Sequence, residues 1–150
     1  MVVISAEIEI QASPDVVRTV FMNFSQYKQW SRWTFTPSAP ETKPHDLKAG
    51  DQLQVDLNGM KFSPVVLDNS AERFQWEGKL EPIFSGKHEF KFAPSTKTPG
   101  ATTFTQTEEF RGLLSFLMRP GWTFSNSTLA NWEAFNRELK EEAEKPSAQG

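Results

Sequence analysis

The sequence predicts an α+β domain with one strand, two short helices, six further strands and one long carboxy-terminal helix. Three observations support this order. Residues 84–110 alternate in a period of two in each half, which is typical of a β-hairpin with one buried face. Asn58-Gly59 lies between two alternating runs and is a strong signal for a tight hairpin turn. Apolar residues then recur at helical spacing from Phe124 to Leu139.

The amino-terminal part is predicted as a strand followed by two helices. Residues 2–11 alternate between apolar and polar side chains, as a half-buried strand does. Ser13 and Pro14 then supply an N-cap and a first-turn proline for a helix. Ser25 is positioned to cap a second short helix that places Tyr27 and Trp30 on one face.

The middle of the chain is predicted as strands interrupted by a proline-rich loop. Trp33 and Phe35 alternate with polar neighbours as in a short strand, and residues 37–50 then form a loop that we expect to be a lid or rim. A hairpin follows over residues 53–67, in which Pro64 indicates a bulge or an edge. Residues 73–80 alternate again and form the next strand.

The hairpin of residues 84–110 has an inner face of mixed character. Its inward positions are His88, Phe90, Phe92, Phe104, Gln106, Glu108 and Phe110. A histidine, an amide and a carboxyl in a dry core cost free energy unless they meet each other, water or a ligand. A loop centred near residue 97 places His88 opposite Gln106, and a shift of one residue places it opposite Glu108. We therefore expect this hairpin to line a pocket.

Composition narrows the class of protein. The 150 residues suit one domain, expected over residues 1–145, with a flexible tail at 146–150. A net charge of −3 offers no clustered cations for nucleic acid. The absence of cysteine excludes disulfides and thiolate sites, and no signal sequence or transmembrane run is found, so we expect a cytoplasmic protein without a membrane span. We expect a monomer or a weak homodimer.

Several kinds of site are not supported by the sequence. With two histidines and no cysteine, a tight metal site would need several carboxylates, and no H-E-x-x-H spacing occurs. The glycines are isolated, so no phosphate-binding loop follows a strand, and no G-x-S-x-G elbow is present. We therefore expect no metal and no cofactor.

The order of elements and several short motifs resemble a known superfamily. The motifs are Ile10-Gln-Ala-Ser-Pro-Asp-Val-Val17, Tyr27-Lys-Gln-Trp30, Gly50-Asp51, Phe74-Gln-Trp-Glu-Gly78, Phe84-Ser-Gly-Lys-His-Glu-Phe90 and Thr105-Gln-Thr-Glu-Glu-Phe-Arg-Gly112. Together they resemble the SRPBCC superfamily (START-like or Bet v 1-like), in particular its small polyketide cyclase/dehydrase-like domains. The resemblance implies a helix-grip fold, in which a curved antiparallel sheet of about seven strands grips the carboxy-terminal helix around an elongated hydrophobic cavity. It also implies roles from lipid carriage to the cyclisation or dehydration of polyketides, without a universal catalytic motif.

Aromatic residues are the candidates for lining the cavity. Five tryptophans and 13 phenylalanines accompany a single tyrosine, which suggests a flat apolar ligand, although such residues more often form plain core. Tyr27 and Arg119 are candidates for orienting a ligand oxygen near the cavity mouth, with surface or helix packing as the alternative. The candidate ligand-binding residues are Trp76, Phe90, Phe92, Phe104, Trp122, Phe124, Trp132 and Tyr27.

Three functions follow from these patterns. The first is binding of a small hydrophobic molecule, aromatic or polyketide-like, between the sheet and the carboxy-terminal helix. The second is a cofactor-independent cyclase, dehydratase or isomerase, in which His88 is the acid–base residue, Glu108 stabilises and orients the charged imidazole, and Gln106 binds a carbonyl. The alternative for these three is a structural polar ladder. The third is a cochaperone-like interaction domain, which a contiguous exposed apolar patch above a closed cavity would favour.

Overall fold

Two antiparallel sheets and one long helix account for most of the structure. The computed structural model describes residues 1–80, 84–113 and 115–149, without the side chains of Leu80 and Phe84. The strands are β1 (Val2–Ile10), β2 (Trp33–Pro37), β3 (Leu53–Leu57), β4 (Met60–Phe62), β5 (Val65–Asn69), β6 (Arg73–Leu80), β7 (Phe84–Pro94) and β8 (Thr102–Arg111). The helices are α1 (Pro14–Met22), α2 (Tyr27–Trp30), α3 (Thr123–Ala143) and α4 (Pro146–Gln149), with 3-10 turns at Phe24–Gln26, Pro44–Asp46 and Ser115–Met118.

The strands form a five-stranded sheet in the order β1-β8-β7-β6-β5 and a three-stranded sheet in the order β2-β3-β4. A bridge between Gln52 and Val65 connects the two sheets. The α+β, helix-grip prediction is confirmed. The strand count differs, because seven strands rather than six follow α2. Ser63 and Pro64 end β4 before β5 begins, so the expected bulged strand is divided between the two sheets.

Local signals account for the starts and turns of most elements. Ser13 Oγ accepts a hydrogen bond from the Val16 amide at 3.3 Å, so the predicted cap of α1 is present. Asn58 and Gly59 have φ angles of 58° and 103°, as a tight hairpin turn requires. The predicted cap of α2 is wrong, since the Ser25 hydroxyl donates instead to Asn23 Oδ1 and a 3-10 turn leads into the helix.

The proline-rich loop is attached to the main sheet. Leu47 is buried, and the side-chain amide of Asn69 on β5 donates to the carbonyls of Leu47 at 3.0 Å and Pro44 at 3.4 Å. Side-chain hydrogen bonds thus satisfy two backbone carbonyls of the loop and attach it to β5, and its role as a lid or rim stays a prediction. At the other end of the chain, residues 146–149 form one helical turn, and the flexibility of the tail stays a prediction.

Aromatic rings fill the space between the main sheet and the helices. Phe21 of α1 is fully buried, and its ring centroid lies 4.8 Å from that of Phe90 and 5.2 Å from that of Phe92. Trp33 of β2 stacks on Phe135 of α3 at 4.2 Å. Rings in edge and stacked contact bury large apolar areas and stabilise the fold. No helix in the described ranges is long and apolar enough to cross a bilayer.

Replacing Phe21 with Ala tests the importance of this packing. Loss of a fully buried ring leaves a cavity, so the free energy of unfolding should fall by about 3–5 kcal/mol in urea denaturation. Phe124→Ala is the matched control, because that ring is 62% exposed and its loss should change stability by less than about 0.5 kcal/mol. Equal losses in the two variants would show that ring packing around α1 does not dominate stability.

Candidate functional site

Four polar side chains form a continuous row from the inner face of β7 and β8 to α3. His88 lies directly across from Glu108 in the sheet, which settles the register in favour of the second alternative. Its Nδ1 is 3.5 Å from Glu108 Oε1, and its Nε2 is 2.9 Å from Gln106 Oε1. The Gln106 amide donates to Asn136 Oδ1 at 2.7 Å, and to the carbonyl of Trp132 at 3.4 Å. The row therefore connects the hairpin to the long helix.

The hydrogen bonds of Gln106 set the tautomer of His88. The nitrogen of the Gln106 amide faces two oxygen acceptors on α3, so its oxygen faces His88. That oxygen accepts a hydrogen bond, and the imidazole Nε2 must therefore carry the proton. In the neutral ring, Nδ1 is then a bare acceptor directed at the Glu108 carboxyl.

His88 lies in an aromatic cage that disfavours its charged form. Its side chain is 1% exposed, and its ring stacks on Phe90 at 4.3 Å, with Trp132 at 4.6 Å and Trp76 at 5.3 Å. Burial lowers the pKa of His88 to about 3, although its hydrogen bond with Gln106 acts in the opposite direction. The expectation of a charged imidazole beside a carboxylate is therefore wrong, because desolvation outweighs the opposite effect of the hydrogen bond with Gln106.

Glu108 occupies a notch created by a glycine. A β-carbon at Gly86 would overlap Glu108 Oε2 and lie 3.1 Å from the carboxyl carbon. Burial raises the pKa of Glu108 to about 8, so the group is a carboxylic acid at neutral pH. Its side chain nevertheless keeps 16% exposure, which makes it the point where the polar row meets solvent. The distance of 3.5 Å to the bare Nδ1 of His88 is longer than an ordinary hydrogen bond. The neutral acid can therefore donate its proton to an acceptor oxygen that comes closer.

The match to a family adds to this geometry. Residues 1–144 match the family model described as polyketide cyclase / dehydrase and lipid transport. The chain belongs to this family. Among curated proteins, none matches the sequence.

Solved structures of the same fold come from several bacteria. A hypothetical protein from Helicobacter pylori is similar with a TM-score of 0.73 and 12% identity, over 94% of this chain and 87% of that chain. A START superfamily protein from Mycobacterium smegmatis is similar with a TM-score of 0.64 and 18% identity, over 95% of this chain and 97% of that chain. A protein from Thermus thermophilus is similar with a TM-score of 0.67 and 15% identity, over 94% of this chain and 96% of that chain. At these identities the likeness concerns the fold.

Two buried polar groups of α3 have no hydrogen-bond partner within the part of the chain that the structure describes. The Ser125 hydroxyl and the Asn136 side-chain nitrogen are buried without a partner among the described residues. Both belong to α3, and the rise of an α-helix places them roughly 16 Å apart along its axis. Lys140 of α3 donates to the Glu9 carbonyl near the end of β1, so α3 runs parallel to β1 and Ser125 lies toward the Glu108 end. Buried donors without partners are rare and can be satisfied by water or a ligand oxygen.

The aromatic candidates are divided by the structure into an interior set and an exposed pair. Five are at most 2% exposed and contact neighbouring rings, namely Trp76, Phe90, Phe92, Phe104 and Trp132. Tyr27 is also fully buried rather than at a mouth, and its hydroxyl donates to the carbonyl of Phe21, while burial raises its pKa. Trp122 and Phe124 are 43% and 62% exposed, so they do not join the interior set.

The row also contains residues that sequence reasoning missed. Asn136 lies four residues after Trp132 in the inward stripe of α3, and this polar interruption was the available signal. Gly86 pairs with Gly78 across β7 and β6, and the missing β-carbons are replaced by the Glu108 carboxyl above Gly86 and by the Phe62 ring above Gly78. No group of three or more potential metal ligands occurs within the residues that the structure describes.

The pKa shifts of the two groups predict opposite effects of pH on stability. The folded chain keeps the Glu108 proton up to about pH 8, whereas the unfolded chain loses it near 4.5, so stability falls as pH rises through this window. The unfolded chain protonates His88 below 6.5, whereas the folded chain does so only near 3, so stability rises with pH between these values. Between pH 4.5 and 6.5 the effect of Glu108 and the effect of His88 on stability oppose each other.

We therefore expect stability to be greatest at mildly acidic pH and to fall between pH 6.5 and 8. The fall should be at most about 1.4 kcal/mol per pH unit, and Glu108→Gln should abolish it, because the amide does not titrate. Urea denaturation at several pH values measures this difference. Parallel profiles for the wild type and the variant would contradict the assignment.

Proposed function

We propose that the chain binds a small, mostly apolar molecule through an acceptor oxygen, such as a ketone carbonyl, at Glu108 between the main sheet and α3. The observation that carries this proposal is the Glu108 carboxyl, which is protonated at neutral pH, held in the Gly86 notch and partly exposed. A carboxylic acid kept neutral by burial can donate a strong hydrogen bond to a carbonyl. The family description, which includes lipid transport, supports an apolar ligand.

The packed interior determines where such a molecule would bind. The aromatic side chains behind His88 contact one another, so a ligand there would have to displace them. At the Glu108 end of the row, the partly exposed carboxyl on β8 is accessible to a ligand. We therefore assign the polar contact of the ligand to Glu108, and entry of its apolar part between the sheet and α3 requires rings of the interface to move.

Binding to a ketone and to its deoxygenated analogue tests the proposal. Chalcone should bind more tightly than diphenylpropene, and Glu108→Leu should remove that preference, a change of about tenfold for one lost hydrogen bond. Glu108→Gln should retain part of the preference, since its amide still donates. Quenching of tryptophan fluorescence measures both affinities.

Two controls keep the result interpretable. Glu109→Leu is the matched variant, because Glu109 is the next residue on β8 and its carboxylate faces Arg111 on the outer face of the sheet. Gly86→Ala should reproduce the loss, since its β-carbon displaces the Glu108 carboxyl. If chalcone and diphenylpropene bound equally to the wild type, or if Glu108→Leu kept the preference, the role of Glu108 would be refuted.

A cofactor-independent cyclase, dehydratase or isomerase is the second candidate, favoured by the bare Nδ1 of His88 facing Glu108. Glu108 would give its proton to the carbonyl oxygen of a substrate while the bare Nδ1 of His88 takes the proton from the adjacent carbon, and the reverse transfers would restore both groups. A pKa of about 3 makes His88 a weak base at neutral pH, which favours Glu108 as the proton donor and binding as the main function.

Deuterium exchange at the α-carbon of acetophenone, followed by NMR, distinguishes catalysis from binding. An enzyme that enolises ketones should accelerate this exchange above buffer, and Glu108→Gln should reduce it by about a hundredfold, as expected for loss of a general acid. His88→Phe removes the imidazole nitrogens and tests whether His88 takes part in the exchange. Exchange at the rate of buffer alone would leave only binding.

We propose that nucleic acid is not a partner, because the net charge is −3. We further propose a cytoplasmic monomer or weak homodimer. The absence of cysteine from the sequence supports a reducing compartment. An interaction domain would use exposed apolar surface instead of the polar row, and such a surface is present between β8 and α3.

A further inference from the structure

The connection between β8 and α3 exposes large apolar side chains. Leu113 is 81% exposed, Phe116 40%, Trp122 43% and Phe124 62%. These four residues, together with Arg119, are called the apolar rim below. Single exposed apolar residues are ordinary, but three in this connection and a fourth in the first turn of α3 provide apolar surface suited to an apolar partner.

Three residues of the apolar rim, Phe116, Arg119 and Trp122, form an ordered cluster. The ring of Phe116 packs edge-on against Trp122 at 6.1 Å, and the Arg119 guanidinium lies 5.8 Å from the Trp122 ring. Backbone bonds from Arg119 to Phe116 and from Trp122 to Arg119 fix the turns of the segment. Met118, between these residues, packs against the core and anchors the connection. The aromatic side chains are thus held outward by a folded backbone.

Charge around the apolar rim differs from that of the whole chain. From Arg111 to Trp132 the sequence contains two arginines and no acidic residue, although the net charge of the chain is −3. Arg111 lies 3.9 Å from Glu109 and is partly neutralised. Arg119 is exposed, and no carboxylate pairs with it within the described ranges. The apolar rim therefore combines apolar side chains with an available cation.

We propose that the apolar rim docks on the surface of an anionic lipid bilayer. Tryptophan is favoured at the level of the lipid headgroups, phenylalanine and leucine insert just below it, and an arginine interacts with headgroup phosphates. A symmetric dimer formed through the same face would place both copies of Arg119 in one interface to which the apolar rim contributes no carboxylate. The cost of these two uncompensated cations favours a lipid surface over a second copy of the chain.

The position of the apolar rim connects it to the candidate site. The segment begins directly after β8, the strand that carries Glu108, and leads into the first turn of α3, which carries Ser125. A bilayer at this surface would lie at the end of β8 that follows Glu108, so an apolar molecule would have a short path between the bilayer and the candidate site. The passage of a ligand between bilayer and site rests on the proposed function, whereas docking on the bilayer does not.

Sedimentation with vesicles tests the docking. The wild type should bind vesicles of equimolar phosphatidylglycerol and phosphatidylcholine more tightly than vesicles of phosphatidylcholine alone. Trp122→Ser combined with Phe124→Ser should weaken binding to the mixed vesicles by at least about tenfold, since both side chains lose their apolar contact. Arg119→Gln should reduce the preference for phosphatidylglycerol by about fivefold, as expected for one arginine.

Met60→Ser is the matched control, because Met60 is a 55% exposed apolar residue on β4 of the other sheet. It should bind vesicles as the wild type does, and circular dichroism should show that each variant is folded. No binding of the wild type to either vesicle, or unchanged binding of the double variant, would overturn the proposal and leave the apolar rim to a protein partner. A wild-type dimer in ultracentrifugation that the double variant dissociates, without vesicle binding, would identify a second copy instead.

The two proposals fail separately. Glu108→Leu should dock on mixed vesicles as the wild type does while losing the chalcone preference. The double variant at Trp122 and Phe124 should keep the chalcone preference in solution while losing docking. If both variants lost both properties, docking and ligand binding would share one surface and the separate assignment of the apolar rim would be wrong.

Discussion

The polar row depends on the side-chain amide of Gln106. Its oxygen accepts from His88 and its nitrogen donates to Asn136, so one side chain joins the hairpin to the long helix. Because these partners fix the orientation of the amide, they also fix which imidazole nitrogen carries a proton. The other nitrogen then faces Glu108 as an acceptor, and the carboxyl keeps its own proton.

The distribution of satisfied and unsatisfied groups explains why the row is interpreted as a site. His88 and Gln106 have hydrogen-bond partners and are surrounded by rings, as stable buried polar groups require. The Glu108 carboxyl lies 3.5 Å from His88 Nδ1 and keeps 16% exposure, while the Ser125 hydroxyl and the Asn136 side-chain nitrogen are buried without a partner among the described residues. The aromatic packing around Phe21 supplies apolar burial that offsets such a deficit. Incomplete polar satisfaction in an otherwise tightly packed domain is typical of a binding or catalytic site.

Much of the fold and part of the site could be predicted from the sequence. Alternation with a period of two identifies the inward side chains of β7 and β8, because this property is local. The register needed the structure, since the loop between the strands allows His88 to face either Gln106 or Glu108. Periodicity also shows that rings point inward without showing whether they leave a space. The hydrogen bond between Gln106 and Asn136 joins residues 30 positions apart, so local patterns do not predict it. The pKa values of His88 and Glu108 depend on burial by every neighbouring element, which likewise needs the structure.

The central claim is that Glu108 is a carboxylic acid at neutral pH. Carbon NMR of the glutamate carboxyl groups across a pH titration, with Glu108 assigned by comparison with Glu108→Gln, measures this directly. The structure predicts a midpoint of about 8 for Glu108, with His88 remaining neutral down to about pH 3. A Glu108 midpoint near 4.5 would show that the group is a carboxylate at neutral pH, and a His88 that becomes protonated near 6.5 would show that burial does not disfavour its charged form; either result would contradict the account.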